Sequence, residues 1–317
     1  MLDVQGLRFR AAFFHSLRSF FIAQQFLEVD TPIRQPLLLP EANIQPLISE
    51  DAYLQASPEL CMKRLLAVGC DRIFQLCNCF RKGERGRLHL EEFTMLEWYR
   101  AGAGYEDLMD DCEQLVSFLL VELGGMEGCA VGGNGGNGSG DSLRPGGRDR
   151  IIAMQPPWER LSVQAAFARF SPVSLEQALA SDTFDELLVE YVEPYLGVER
   201  PLFLYDYPVA LGSLARRKDG SPHLVERFEL YINGIELANG FSELTDVDEQ
   251  RQRFTEELQL MEKGGRQSMS MPERFLEDLA HLDQAAGIAL GVDRLLMLLM
   301  GKRCIGEVVS FAPDDLA

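Results

Sequence analysis

The chain has 317 residues, enough for one large domain or two ordinary ones and for a substantial buried core. Apolar side chains make up 46% and charged ones 25%, which excludes a chain disordered throughout. No apolar run reaches membrane-span length, and 49 acidic against 30 basic side chains leave a net charge of −19, the wrong sign for a general grip on nucleic acid backbone. A local basic patch stays compatible with that balance. The seven cysteines lack zinc-ribbon spacing. With no secretory leader pattern at the start, they read as reduced thiols of a cytoplasmic protein.

Phe9, Phe13, Leu17, Phe20 and Phe21 recur at spacings of four and three, which predicts an amphipathic helix over 7–26. A short strand follows at Phe26-Leu27-Glu28-Val29 and stops at Asp30-Thr31-Pro32. The next helix has Ser57 as a capping residue, Pro58 at its first position and Gly69 as its stop. Residues 72–80 and 92–99 read as paired strands around a charged loop. Arg81, Lys82, Arg85 and Arg87 concentrate positive charge there. Arginine suits bidentate contact with phosphate, and a solvated hairpin loop accounts for the same run.

Glycine fills 11 of the 26 positions from Gly124 to Asp149, so residues 124–150 read as a flexible surface insertion. Gly133, Gly135 and Gly138 spell a dinucleotide-type pattern, but the strand before it and the helix after it are missing. Further on, 185–192 reads as a helix and 201–208 as a strand. Asn233-Gly234 is a strong two-residue turn between strands at 226–232 and 235–241. A charged helix over 248–264, a strand over 287–292 and an apolar helix from Arg294 to Met300 complete the chain. The pattern predicts an α+β fold with a mainly antiparallel sheet flanked by helices.

With Asn233-Gly234 as the turn, Glu229 lies diagonal to Glu236 on one face, about 7–8 Å away between backbones. Two such carboxylates repel unless a cation sits between them. A divalent ion bridging to phosphate fits, and so do two solvated glutamates. Glu243 joins that face only if the strand bulges, for which Asn239-Gly240 is the natural place. Arg294, beside a very apolar helix, needs an anion or a carboxylate such as Asp293.

In this order the segments resemble class II aminoacyl-tRNA synthetases of the lysyl type. Phe26-Leu27-Glu28-Val29-Asp30-Thr31-Pro32 is similar to motif 1. Phe80-Arg81 through Glu92-Phe93-Thr94-Met95-Leu96-Glu97-Trp98-Tyr99 is similar to motif 2. Gly287-Ile288-Ala289-Leu290-Gly291-Val292-Asp293-Arg294 is similar to motif 3. Glu236-Leu237-Ala238-Asn239-Gly240-Phe241-Ser242-Glu243-Leu244 resembles the lysyl amino-acid pocket. The resemblance covers nearly everything except the glycine-rich stretch. It implies one class II catalytic domain over 1–317, with no room before motif 1 for an anticodon-binding OB domain. The strings Ser57-Pro58-Glu59-Leu60-Cys61-Met62-Lys63-Arg64-Leu65-Leu66 and Gly234-Ile235-Glu236-Leu237-Ala238-Asn239-Gly240-Phe241 most resemble the EpmA/PoxA/GenX family. These are lysyl-synthetase paralogues that act as elongation factor P–lysine ligases.

That resemblance implies (R)-β-lysine or lysine and ATP as substrates, Mg²⁺, elongation factor P as acceptor, and a homodimer that binds neither whole tRNA nor membrane. Arg81 and Arg294 would be the catalytic residues. Arg81 would bridge the substrate carboxylate and the α-phosphate, and Arg294 would hold the γ-phosphate. Phe93 would stack on adenine and His89 would lie near the triphosphate. Lys82, Gly83, Leu90, Leu237 and Gly291 would complete the ATP site, Gly291 by close backbone access. Glu229 and Glu236 would carry Mg²⁺. Glu97, Tyr99 and Glu243 would receive the distal ammonium and Glu59 the other amino group, with Ser57, Pro58 and Asn239 shaping the pocket. Ala289 stands where tRNA-charging relatives have glycine. One methyl in a tight pocket is worth on the order of 1 kcal/mol, enough to tilt it toward (R)-β-lysine.

The chain departs from the motif 2 pattern at Lys82, Gly83, Leu90 and Glu91, where the family carries asparagine, glutamate, asparagine and proline. Two other readings fit the same residues. One is a lysyl-tRNA synthetase-like enzyme that acylates tRNA or another acceptor. The other is a catalytically silent synthetase-like regulatory binding protein, for which Gly83 is the best support.

Overall fold

The computed structural model describes residues 1–130, 142–143, 152–265 and 269–316. The expected insertion over 124–150, including Gly133, Gly135 and Gly138, lies for the most part outside the described residues. Its first part is described: Ala130 N–H donates to the Leu299 carbonyl at 2.7 Å.

Helix α1 spans Val4–Ala23, starting earlier than the phenylalanine spacing predicts because Asp3 caps it, Oδ1 accepting Gly6 N–H at 2.7 Å. Gln25, at φ 63°, turns the chain into strand β1 (Leu27–Glu28). A small sheet of β2 (Arg34–Gln35), β3 (Leu47–Ser49) and β4 (Ala52–Leu54) leads to α2 (Glu59–Ala67). Strands β5 (Arg72–Phe80) and β6 (Glu92–Ala101) pair along their length, and α3 (Tyr105–Leu123) follows. The pair β7 (Ser142–Leu143) and β8 (Ile152–Ala153) precedes β9 (Glu159–Ser162). Helices α4 (Val163–Phe170), α5 (Leu175–Ala180) and α6 (Phe184–Leu187) come next. The helix expected over 185–192 is α6 continued as a π turn over Leu188–Val192, and Pro194 falls inside a 3₁₀ turn rather than ending the element. Then come β10 (Leu202–Pro208), β11 (Arg217–Lys218), β12 (Ser221–Ile232), β13 (Ile235–Ser242), α7 (Val247–Lys263), α8 (Glu273–Leu279), β14 (Ala285–Gly291) and α9 (Val292–Leu299).

Nine strands form one sheet in the order β1-β5-β6-β14-β13-β12-β10-β9, with β11 against β12. Its end pairs, β1 with β5 and β9 with β10, are parallel and its interior is antiparallel, so the α+β expectation holds. Alternation separates the two faces. On β14, Ala286, Ile288 and Leu290 join the main core with α1 and α3. Phe74 on β5 does the same, stacking on Phe21 of α1 with ring centroids 4.8 Å apart. Gly287, Ala289 and Gly291 line a cavity instead. A side chain at Gly287 would collide with the Tyr99 ring and the Glu243 carboxylate, so glycine is required there.

The hairpin register decides the chemistry. Ile232 pairs with Ile235 and Tyr231 with Glu236, as the turn predicts. Beyond them Leu230 pairs with Ala238 and Glu229 with Asn239, leaving Leu237 as the extra residue. The bulge therefore sits at Leu237 and not at Asn239-Gly240. Gly240 has a packing reason instead, since a Cβ there would press on the Phe228 ring and Ile288. The slip reverses the alternation, which puts Glu236, Asn239, Phe241 and Glu243 on one face with Glu229.

Candidate active site

On that face lies a cavity of about 410 Å³, within the usual range for a small-molecule site. It gathers residues from five strands and four α-helices. Ser57, Glu59, Arg81, His89, Leu90, Phe93, Glu97 and Tyr99 line it, as do Glu229, Glu236, Leu237, Asn239, Ala289, Gly291 and Arg294. Four expected residues do not. Pro58 caps α2 from outside the lining. Lys82 and Gly83 belong to the loop after β5, whose backbone they serve: Lys82 N–H donates to the Gln45 carbonyl at 2.8 Å and Gly83 N–H to Glu91 Oε1 at 2.7 Å. Glu243 stands behind Gly287, one layer inside the wall.

Glu91 explains much of that loop. Besides Gly83 it binds Arg85, whose Nε donates to Oε2 at 2.8 Å, and its carbonyl accepts Arg81 N–H at 2.9 Å. Gly83 sits at φ 80°, a conformation that the glutamate of the family pattern would adopt only with strain. Arg85 is thereby neutralised at the surface, and Arg87 Nη1 reaches the Arg303 carbonyl at 3.2 Å. Of the basic run, Arg81 alone lines the cavity.

At one end of the cavity the arginines dominate. The Arg81 guanidinium lies over the Phe93 ring, 5.3 Å from its centroid. Its Nε is buried with no hydrogen-bond partner among the described residues, and Nη1 is 3.9 Å from Glu84 Oε1. Arg294, in the first turn of α9, donates to the Glu236 carbonyl at 2.9 Å and to His89 Nε2 at 2.6 Å, with the Glu236 carboxylate at 3.5 Å. Asp293 is not its partner: Arg10 of α1 takes Oδ1 at 2.7 Å and Thr94 N–H takes Oδ2 at 2.7 Å. Burial and then the Arg294 charge lower the His89 pKa, so His89 is the neutral acceptor in that contact.

Glu229 and Glu236 come together here. Glu229 accepts from Arg227 at 2.7 Å, Tyr207 at 2.6 Å and Tyr231 at 2.8 Å. Glu236 is more open, and burial together with the Glu229 charge pushes it up to about 7 against Arg294 and Arg227. Among the described residues no group of three His, Cys, Asp or Glu side chains suits a metal ion. A two-carboxylate site fits Mg²⁺ all the same, because that ion keeps water and phosphate as most of its ligands. Glu229 has lone-pair capacity left after its three donors.

At the other end the carboxylates dominate. Glu97, 1% exposed, accepts Ser57 Oγ–H at 2.6 Å and Tyr99 O–H at 2.9 Å. Burial, then the Glu59 charge, raises it to about 8. Lys63, four residues after Glu59 on α2, lies 2.6 Å from Glu59 Oε1 and 2.5 Å from Glu243 Oε2. Burial alone would lower the Lys63 pKa, but the two carboxylates outweigh it and raise the value. Glu243 is itself pushed up to about 8, by burial above all. Its Oε1 has no hydrogen-bond partner among the described residues. Ala289 sits between Glu97 and Asn239, its register partners on either side. Two residues here escape the motif reading. Lys63 is detectable as an i, i+4 partner of Glu59, whereas Glu41, on the cavity rim, carries no local signal.

An antiparallel sheet that holds phosphate-type arginines beside a carboxylate-rich pocket in one cavity defines an amino-acid-activating ligase of the class II synthetase type. The profile of class II tRNA synthetases (D, K and N) matches residues 4–315, and the chain belongs to that family. It is 35% identical over 345 residues to the elongation factor P–(R)-β-lysine ligases of Salmonella paratyphi B, Salmonella heidelberg and Salmonella enteritidis. Those alignments cover 98% of this chain and 96% of each relative. No helix among the described residues is long and apolar enough to cross a membrane.

Proposed function

We propose that this ligase activates (R)-β-lysine, or lysine, as an adenylate and transfers the acyl group to a lysine side chain of elongation factor P in the cytoplasm. The observation that carries the reading is the opposite charge excess at the two ends of one cavity. Arg81 and Arg294 are short of carboxylate partners, as residues awaiting phosphate would be. Glu59, Glu97 and Glu243 surround one cation, Lys63, which leaves more carboxyl groups than cations for a substrate with two ammonium groups. Glu97 and Tyr99 suit the distal ammonium, and Glu59 the second amino group.

In the first step the amino-acid carboxylate attacks the α-phosphorus and pyrophosphate leaves. Arg81 draws carboxylate and phosphate together and offsets the charge that crowds there, while Arg294 fixes the far phosphate. Glu236, with Glu229 behind it, would hold Mg²⁺, which supplies charge neutralisation and a template on the phosphates. Phe93, backed by Arg81, suits the adenine ring. No protein nucleophile is needed.

The same reading makes the protein a homodimer. Leu27 on the edge strand β1 is 58% exposed and Ile33 just beyond it 45%, apolar side chains that pairing of two copies would cover. The deciding experiment is ATP–pyrophosphate exchange with (R)-β-lysine and L-lysine, followed by the mass of elongation factor P after incubation. Exchange with lysine and a matching mass gain on the factor support the reading. Exchange with acylation of tRNA alone points to the synthetase-like enzyme, and no exchange with either isomer overturns the mechanism.

A further inference from the structure

We propose that Glu41 is the base that frees the acceptor amine for acyl transfer; this rests on the ligase reading above. Glu41 stands on the loop between Pro40 and Ile44 at the cavity rim, where it shares the wall with Arg81, Ser57 and Glu59. The loop is tied down by Ala42 N–H on Glu257 Oε2 of α7 at 2.7 Å and by Ile44 N–H on the Glu41 carbonyl at 3.2 Å. The other carboxylates at this end are committed, Glu59 and Glu243 to Lys63 and Glu97 to Ser57 and Tyr99. The Glu41 carboxyl has no hydrogen bond or ion pair among the described residues. It also borders a side pocket of about 20 Å³ shared with Ile44, Ser57 and Glu59, room for one water.

An acceptor lysine arrives as an ammonium, with an ordinary pKa of about 10.4, and cannot attack until a proton is removed. Glu41 takes that proton. The freed lone pair forms the C–N bond at the acyl carbon, the bond from that carbon to the phosphate oxygen breaks, and AMP leaves with the electron pair. The second amine proton passes to water as the amide forms. Four charged neighbours set the readiness of Glu41. Burial and then Glu59 on α2 push it up to about 7, Arg81 after β5 pulls it down, Glu257 on α7 raises it and Lys63 on α2 lowers it. A base poised near the working pH is the efficient one.

The test is Glu41→Gln in the full chain, with both half-reactions followed. Transfer to elongation factor P slows about 100-fold more than ATP–pyrophosphate exchange. Its rise with pH centred near 7 disappears. Capture of the adenylate by hydroxylamine, which attacks without losing a proton first, keeps pace with exchange. Equal transfer with an unchanged pH profile overturns the proposal. So does a parallel fall in both half-reactions, which would make Glu41 part of the amino-acid seat. If the wild-type protein leaves elongation factor P unmodified while exchange persists, the acceptor reading fails on its own. The same comparison then runs with n-butylamine against hydroxylamine and still decides the role of Glu41.

Discussion

The two ends of the cavity solve opposite electrostatic problems. At the arginine end, Arg81 and Arg294 lean on carbonyls, an aromatic face and a neutral histidine, with the nearest carboxylates 3.9 and 3.5 Å away. At the carboxylate end, Glu59, Glu97 and Glu243 are buried around Lys63. Neither end is balanced by the charges of the described residues. A folded protein tolerates that at a site where a ligand completes the balance, and on the proposed reading phosphate goes to one end and the ammonium groups to the other.

Removing a cation from the arginine end is the largest single way to break this contrast. Arg294→Ala should reduce ATP–pyrophosphate exchange by about 10²–10³-fold, as loss of one charge-stabilising donor does. The KM for lysine should change little, since the two ends bind different parts of the substrates. A large rise in that KM with exchange otherwise intact would show that the ends are not separate.

Lys63→Met breaks the other end. It strands two buried carboxylates and should cost about 3 kcal/mol or more of stability, seen as a lower Tm in thermal melts. Lys63→Met combined with Glu243→Gln should recover most of that loss, because the stranded charge goes with its partner. A double variant no better than the single one would mean that Lys63 acts through packing.

Acidity sharpens the comparison next. Glu97 and Glu243 titrate near 8, so below that pH each tends to hold a proton and repel nothing, yet offers no charge to an ammonium. Apparent KM for lysine should therefore fall as pH rises toward about 8, while KM for ATP stays flatter. Stability of the empty protein runs the other way. These groups hold protons more tightly folded than unfolded, so their contribution is present at low pH and is lost as pH rises through the folded values near 8. Melts of the empty protein and KM measured across the same range check both signs.

Ala289→Gly is the smallest change. Removing one methyl between Glu97 and Asn239 should shift the preference between (R)-β-lysine and L-lysine by about tenfold, on the order of 1 kcal/mol. An unchanged ratio of kcat/KM for the two isomers would detach Ala289 from substrate choice.

Much of this arrangement was legible before any coordinates. The strand pair around Arg81, the Asn233-Gly234 turn and a strand ending near Gly291 follow from contacts between near neighbours, and the structure keeps them. The misses share a cause. The bulge lands on Leu237, and the register that seats Gly240 against Phe228 is set between strands, not along one of them. Asp293 goes to Arg10 and not to its neighbour Arg294, because α1 delivers a guanidinium to within 2.7 Å from 283 residues away in sequence. The departures from the motif 2 pattern look like losses in the sequence, yet Glu91 builds a different loop around Gly83.

The order of amino acids by itself determined the period of each helix and strand, the turn of the hairpin and the supply of chemical groups, since these depend on residues a few positions apart. Tertiary structure decided which charges meet. Glu59 sees Lys63 along its own helix, but Glu243 reaches that lysine, and Glu41 is left without a partner among the described residues, only once strands and loops remote in sequence close around one cavity. Charge pairing acts through space and burial, and neither distance nor exposure is written along the chain.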